Sequence, residues 1–304
     1  MKKTLTRAPQ FINWNFTNKC SFNCEHCYSR NRVIETLTLE EKMKICENIA
    51  RNKVFIVNLG GGEPILDKDC YKVIEYLSNH GVRTNLSTSG WDINLNVIAD
   101  LKKANLQGAS ISIDNIDPTI HDSFRHKEGA FNKALEAIQL FVANKIDVVV
   151  STVITTMNFD SLEDIISLAD SLGCKGIDLK RLKTMGNAAD KNELILNKDQ
   201  EALLYEKMKE WKAKYQMAVT LTYGSEAVEG IDGGCPCGKT ALCILENGDV
   251  SPCVYNTIVV GNAINDDLSE LWLKNPTLTY LRDNFTCVGL FKKGQLLYDD
   301  YKSN

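Results

Sequence analysis

Six strand-like runs, each followed by an amphipathic helical window, fill the first two-thirds of the chain. This alternation constrains the fold more than any other feature. The runs are FINWNF (11–16), VFIVNL (54–59), VRTNLS (82–87), GASISI (108–113), IDVVVSTVI (146–154) and KGIDLK (175–180). The helical windows lie near 38–52, 68–79, 93–104, 130–144 and 159–172, and one near 198–214 closes the set. Strand-then-helix units in series imply a parallel sheet with right-handed crossovers. Six units are too few to close an eight-stranded barrel. They predict an α/β fold, an open partial (β/α)6 TIM-like barrel, with its site on the loops at the strands' C-terminal ends.

After about residue 217 the texture changes. Gly and Cys concentrate in GIDGGCPCGKTALC, and ILENGDVSPC reads as a hairpin turning at Asn247–Gly248. Short helices are expected at SELWLK (269–274) and near 277–283. The expected division is a core domain over 8–216 and a compact, metal-stapled module over 217–304, since so small a core wants a staple.

The start, MKKTLTRAPQ, is basic but has no apolar stretch behind it, and no window approaches the length of a membrane span. A cytoplasmic location away from membranes is expected. A net charge of −4 argues against a nucleic-acid partner. Eleven cysteines in a reducing compartment point to metal or catalytic use rather than disulfides. Cys46, Cys70 and Cys174 are scattered through helix- or strand-like segments and are expected to be small buried hydrophobes.

The remaining cysteines are grouped. In NKCSFNCEHCYSR, directly after the first strand, Cys20, Cys24 and Cys27 form a C-x-x-x-C-x-x-C loop. Three closely spaced thiolates can ligate three irons of a [4Fe–4S] cluster and leave the fourth iron open to another ligand. Structural zinc wants four protein ligands. His26 could be a fourth, but it sits between two of the cysteines and would strain the loop. At the end of the second strand stand Gly60, Gly61, Gly62, Glu63 and Pro64. Consecutive glycines let backbone approach a ligand closely, and Glu63 offers a carboxylate to an ammonium group.

The cysteine loop after the first strand and the GGEP motif one unit later resemble the signature of the radical S-adenosylmethionine (SAM) superfamily. The resemblance runs over nearly the whole chain. It implies that Cys20, Cys24 and Cys27 hold a SAM-binding [4Fe–4S] cluster and that Gly61, Gly62 and Glu63 grip the amino end of SAM. SISIDNIDPTIHDSFR resembles the family's fourth-strand segment. Ser112 and Arg125 are thereby implied to meet the ribose and carboxylate of SAM, with Asp114 nearby and Arg125 on the loop after the strand. Thr88, Ser89 and Gly90 end the third strand where the family often has Thr-Asn-Gly. Lys180 and Arg181 end the sixth and are placed to reach a carboxylate. The implied chemistry is reductive cleavage of SAM to a 5′-deoxyadenosyl radical, which takes hydrogen from a substrate, with flavodoxin or ferredoxin as electron donor.

The spacing Cys237-x5-Cys243-x9-Cys253, with Gly248 inside it, resembles the start of the SPASM and twitch modules that carry auxiliary [4Fe–4S] clusters. GNAINDDLSELW resembles the segment that follows, and Cys287 falls where a further ligand is expected. A full SPASM module uses about seven cysteines for two clusters; Cys235, Cys237, Cys243, Cys253 and Cys287 make five. One auxiliary cluster is therefore expected, on Cys237, Cys243, Cys253 and Cys287. Cys235 is left as a spare thiol, an alternative to Cys237, or a hydrogen-atom donor. A zinc ribbon would need two CxxC-like knuckles, and only C-P-C is present.

The expected substrate is a ribosomally made peptide, to be crosslinked, epimerised or oxidised. Many peptide-maturing relatives carry an N-terminal leader-binding domain, whereas about ten residues precede the first strand here, so leader recognition is expected from elsewhere. The alternatives are dehydrogenation or epimerisation of a small polyol or aminosugar, and a non-enzymatic iron–sulfur scaffold or binding partner.

Overall fold

A computed structural model describes residues 5–29, 37–222, 236–255 and 258–284. Six parallel strands, β1 (Phe11–Thr17), β2 (Ile56–Gly61), β3 (Arg83–Thr88), β4 (Gly108–Ser112), β5 (Asp147–Ile154) and β6 (Gly176–Arg181), are linked by helices. The helices are α1 (Leu39–Arg51), α2 (Cys70–Asn79), α3 (Leu95–Lys103), α4 (Pro118–Arg125), α5 (Ala130–Ala143) and α6 (Leu162–Ser171), and α7 (Lys198–Lys214) follows β6. Then come β7 (Ala218–Thr222), β8 (Ala241–Ile244), β9 (Asp249–Ser251), β10 (Gly261–Asn262), α8 (Leu268–Lys274) and α9 (Pro276–Asn284). All the described strands belong to one open sheet, in the order β10-β9-β8-β1-β2-β3-β4-β5-β6-β7. The partial barrel predicted from the alternation is what the chain forms.

Local chemistry fixes the helix starts. Thr38 and Glu41 form a capping box on α1, and Asn197 and Gln200 form one on α7. The two faces of the sheet differ. Outward side chains such as Ile12, Leu59, Leu86, Ile111 and Val150 share one core with Ile45 and Ile49 of α1, Ile74 of α2, Phe141 of α5 and Ile165 of α6. Inward side chains are largely polar. Asn13, Asn58, Ser87, Ser110, Asp178 and Lys180 line an interior cavity of about 360 Å³. A parallel sheet covered on both faces would read as continuous apolar runs; the alternation of β5, with Val148, Val150, Thr152 and Ile154 buried in turn, marks a lumen on one side.

One expectation is corrected. Arg125 does not lie on a loop: it is the last residue of α4. That helix starts because the Asp117 carboxylate accepts the amides of Thr119 and Ile120 and Pro118 sits in its first turn, and it stops at His126 in the left-handed region (φ 52°). The sheet continues past the sixth strand. β7 pairs in parallel with β6, and β8 pairs in parallel with β1, with Cys243 opposite Asn13. The β8–β9 hairpin, antiparallel about Asn247–Gly248 as predicted, therefore extends the barrel's own sheet. The change of texture near residue 217 is a change of composition and leaves the hydrogen-bonded sheet unbroken. Among the described residues no helix is long and apolar enough to cross a membrane.

Candidate active site

The cysteine loop leaves β1 at the C-terminal mouth of the barrel and is clamped by backbone from three other segments. The amide of Gly62 donates to the Thr17 carbonyl (2.6 Å) and that of Glu63 to the Lys19 carbonyl (2.7 Å). A Cβ on Gly61 (φ 96°) would stand 2.6 Å from the Thr17 oxygen, and one on Gly62 would collide with the Lys19 carbonyl. The glycine run is thus required by the close approach of the chain to itself, which differs from the expected approach to a ligand. From the far side of the mouth, the turn Gly186–Ala188 closes on the loop. The amide of Asn187 donates to the Cys27 carbonyl (3.0 Å), and its side-chain amide donates to the Cys24 carbonyl (2.9 Å). Here too a Cβ on Gly186 would overlap the Cys27 carbonyl oxygen. From α4, the Phe124 carbonyl accepts the amide of Glu25 (2.9 Å). Sequence reasoning missed the Gly186–Ala188 clamp, because an isolated Gly-Asn pair is indistinguishable from any turn.

Cys20, Cys24, Cys27, Gly61, Gly62, Glu63, Ser89, Ser112, Arg125 and Lys180 all line one cavity of about 220 Å³ at this mouth. Asp114, placed beside them by resemblance, does not line it. Its carboxylate accepts the Nε (2.8 Å) and Nη2 (2.6 Å) of Arg125 and the amide of Val153 (2.9 Å), which makes it the support behind Arg125. Ser89 serves Glu63 in a similar way: its amide (2.9 Å) and hydroxyl (2.8 Å) both donate to Oε2. Lys180 donates to the Ser151 hydroxyl (2.7 Å) and lies 3.5 Å from the Asp178 carboxylate, where it borders both the mouth cavity and the lumen. Arg181 turns toward α7, onto Glu201 and Tyr205.

Glu63 is 1% exposed, and its Oε1 has no hydrogen-bond partner. Burial pushes its carboxyl above the usual range, against the Ser89 amide and the hydroxyls of Thr88 and Ser89. A buried, unsatisfied carboxylate oxygen is costly, and an ammonium group brought into the cavity would satisfy it. Burial also raises the Cys24 thiol to about 11, against the pull of Arg125, so a metal bound there would displace a proton. His26 also lines the cavity; it stacks on Phe124 (4.7 Å), and desolvation lowers its pKa to about 4. Among the described residues no trio of His, Cys, Asp or Glu closes round a single metal ion; the three loop thiols stand instead around the cavity. Three cysteines and a buried, partly unsatisfied carboxylate lining one cavity fit a site-open cluster and an amine-bearing ligand.

Behind the Glu63 loop, the fully buried Lys42 of α1 pairs with Asp67 (2.7 Å) and Asp69 (3.0 Å) and lies over the Phe16 ring (4.8 Å). This brace between α1 and the segment entering α2 had no local sequence signal. Cys46 and Cys70 are fully buried and Cys174 nearly so, with burial raising all three thiols, as small core residues should be.

In the C-terminal region Cys237, Cys243 and Cys253 are all buried. Cys243 lies on β8 and Cys253 just beyond β9, and Cys237 bridges to Ala241. Cys237 and Cys243 line the lumen cavity. Cys235 and Cys287 lie outside the described residues. Tyr255, whose amide donates to Cys253 Sγ (3.4 Å), packs edge-to-face on Tyr28 beside Cys27 (4.8 Å), and both rings face the mouth cavity.

Comparison with known proteins agrees with this geometry. Residues 14–172 match the family model described as the radical SAM superfamily, and residues 235–292 match SPASM, an iron–sulfur cluster-binding domain. The chain is 26% identical to the AdoMet-dependent heme synthase of Methanosarcina barkeri, over 92% of this chain and 86% of that protein. It is 30% identical to the mycofactocin maturase MftC of Mycobacterium ulcerans, over 91% of this chain and 78% of that protein. The fold of Streptococcus suis SuiB bound to S-adenosylmethionine superposes with a TM-score of 0.75 at 16% identity, over 92% of this chain and 69% of that one. Family membership implies SAM, a SAM-binding [4Fe–4S] cluster and auxiliary cluster binding. The chain belongs to the radical SAM superfamily and carries a C-terminal SPASM domain.

Proposed function

We propose that this chain modifies a ribosomally made peptide by radical SAM chemistry, by crosslinking, epimerisation or oxidation. One observation carries the radical SAM part: the three loop cysteines line one cavity with Glu63, a buried carboxylate whose Oε1 has no hydrogen-bond partner among the described residues. In this reading Cys20, Cys24 and Cys27 hold the SAM cluster. Glu63 Oε1 takes the SAM ammonium, and Ser89 fixes the rotamer that presents it. Gly61 and Gly62 bring that loop against the cysteine loop, and Ser112 and Arg125 complete the SAM wall. Lys180, at the junction with the lumen, offers a cation to a carboxylate. Cys237, Cys243, Cys253 and Cys287 hold one auxiliary cluster, and Cys235 is a candidate hydrogen donor. When bound, the cofactors supply an electron from a flavodoxin- or ferredoxin-type donor and a 5′-deoxyadenosyl radical that takes hydrogen from the substrate.

The peptide part draws on the MftC relative, named a maturase, and on SuiB, a protein of this fold solved bound to the precursor peptide SuiA. A second reading, dehydrogenation or epimerisation of a small polyol or aminosugar, draws on the amides and hydroxyls of Asn13, Asn58, Ser87 and Ser110 in the lumen. The test is reconstituted protein with dithionite and SAM. About eight irons per chain and formation of 5′-deoxyadenosine are expected; failure to cleave SAM overturns the enzymatic reading. Candidate peptides in deuterated solvent then separate outcomes. Loss of two hydrogens marks a crosslink or oxidation, gain of one deuterium marks epimerisation, and unchanged peptides beside a converted polyol favour the second reading.

A further inference from the structure

Arg125 is held in an unusual way for a residue expected only to touch SAM. It is 7% exposed at the end of α4, and the Asp114 carboxylate takes its Nε and Nη2 through a single oxygen. The remaining terminal nitrogen, Nη1, is left facing the cysteine loop, 4.0 Å from Cys24 Sγ. Cys24 is itself the buried member of the three thiols. Asp114 is fixed in turn: its other oxygen accepts the Val153 amide, its own amide donates to His121 Nδ1, and its carbonyl accepts Asn158 Nδ2. The Arg125–Asp114 pair is therefore a rigid dipole with its positive end toward the sulfur. The nearby imidazoles are engaged elsewhere: His26 stacks on Phe124, and His121 Nδ1 accepts the Asp114 amide.

From this geometry we infer that Arg125 is an electrostatic partner of the Cys24 thiolate that raises the reduction potential of the SAM cluster, and that Asp114 sets how much of its charge the cluster feels. The inference rests on Cys24 being an iron ligand. With three thiolates, a [4Fe–4S]²⁺ cluster carries a net charge of −1, and uptake of one electron makes it −2. A desolvated cation beside a ligating sulfur favours the more negative state, because burial weakens the screening that would operate in water. In a titration the electron comes from dithionite, which is oxidised. Asp114 partly cancels that cation, so the two side chains act with opposite sign.

The opposed signs make the test. Reconstituted full-length protein is titrated with dithionite in the absence of SAM, followed by electron paramagnetic resonance. The SAM-cluster signal is identified by its change of shape when SAM is added to a parallel sample. Arg125→Met is expected to shift the midpoint to a more negative potential, Asp114→Asn to a more positive one, and Arg125→Lys to a value between Arg125→Met and the parent. Equal potentials in all the proteins, or shifts of Arg125→Met and Asp114→Asn in the same direction, overturn the inference. If Arg125→Met fails to retain the cluster, Asp114→Asn decides alone, because an unchanged or lowered potential there is incompatible with the dipole. Absence of any SAM-responsive signal in the parent protein would instead strike at the ligand assignment of Cys24. Leaving SAM out separates this role from any contact between Arg125 and the SAM carboxylate.

Discussion

The two cysteine clusters are built on opposite principles. Cys20, Cys24 and Cys27 sit in a loop with no regular structure, shaped from outside by the Gly61–Gly62 strand end, the Gly186–Ala188 turn and the end of α4. Cys243 lies on a strand paired with β1, and Cys253 follows the partner strand of the same hairpin, so both are placed by ladder hydrogen bonds. The first arrangement leaves the sulfurs facing an open cavity but makes them hostage to distant glycines. The second sets Cys243 on the lumen wall and depends on the register of β8 against β1 and β9.

Four experiments would sharpen or break this contrast. Gly62→Ala has the largest expected effect, since its Cβ collides with the Lys19 carbonyl and backbone has no flexible end to yield. About four irons per chain should be lost by iron assay, with SAM cleavage abolished and the auxiliary cluster retained; full iron content would show that the loop is not clamped. Cys253→Ser should remove a similar amount of iron from the other region while SAM cleavage is largely kept, and coupled loss of both clusters would erase the distinction. Glu63→Gln should leave both iron counts intact and weaken SAM binding roughly ten- to a hundredfold, the worth of a charge-assisted hydrogen bond at about 1.5–3 kcal/mol, measured by calorimetry. The smallest effect concerns His121, whose pKa burial lowers from 6.5 to about 4. The unfolded chain binds this proton first as pH falls. The stability is therefore fully present above pH 6.5 and is lost toward pH 4, by on the order of 2–3 kcal/mol. Thermal melts should show a smaller acid loss in His121→Gln, and an identical loss would reassign the effect to other groups.

How much of this could be read beforehand follows from the range of each interaction. The six barrel strands begin and end within two residues of their expected places because periodicity and turn residues are local signals. Asp117–Pro118 was equally local as a helix start, yet α4 went unread because its eight residues carry too short an apolar pattern between a strand and α5. Pairing of β8 with β1 joins residues more than two hundred positions apart, and no local pattern encodes it. The site divides in the same manner. Motif spacing marks Cys20, Cys24, Cys27 and Glu63, but the task of Asp114 as a support for Arg125, and the closeness of Asn187 to the cysteine loop, exist only after folding.

The parallel pairing of β8 with β1 has a consequence for electron flow. β1 delivers the cysteine loop at one end and carries Cys243 opposite Asn13 along its flank. Under the proposed assignment of Cys243 and the cysteine loop to two clusters, their separation along the sheet follows one strand from Asn13 to Thr17, about 13 Å at the rise of a β-strand. Electron transfer slows steeply with distance, so a spacing stamped into backbone hydrogen bonds works as a fixed resistor: whatever binds in the cavity changes the driving force across it, and the length of the wire stays the same.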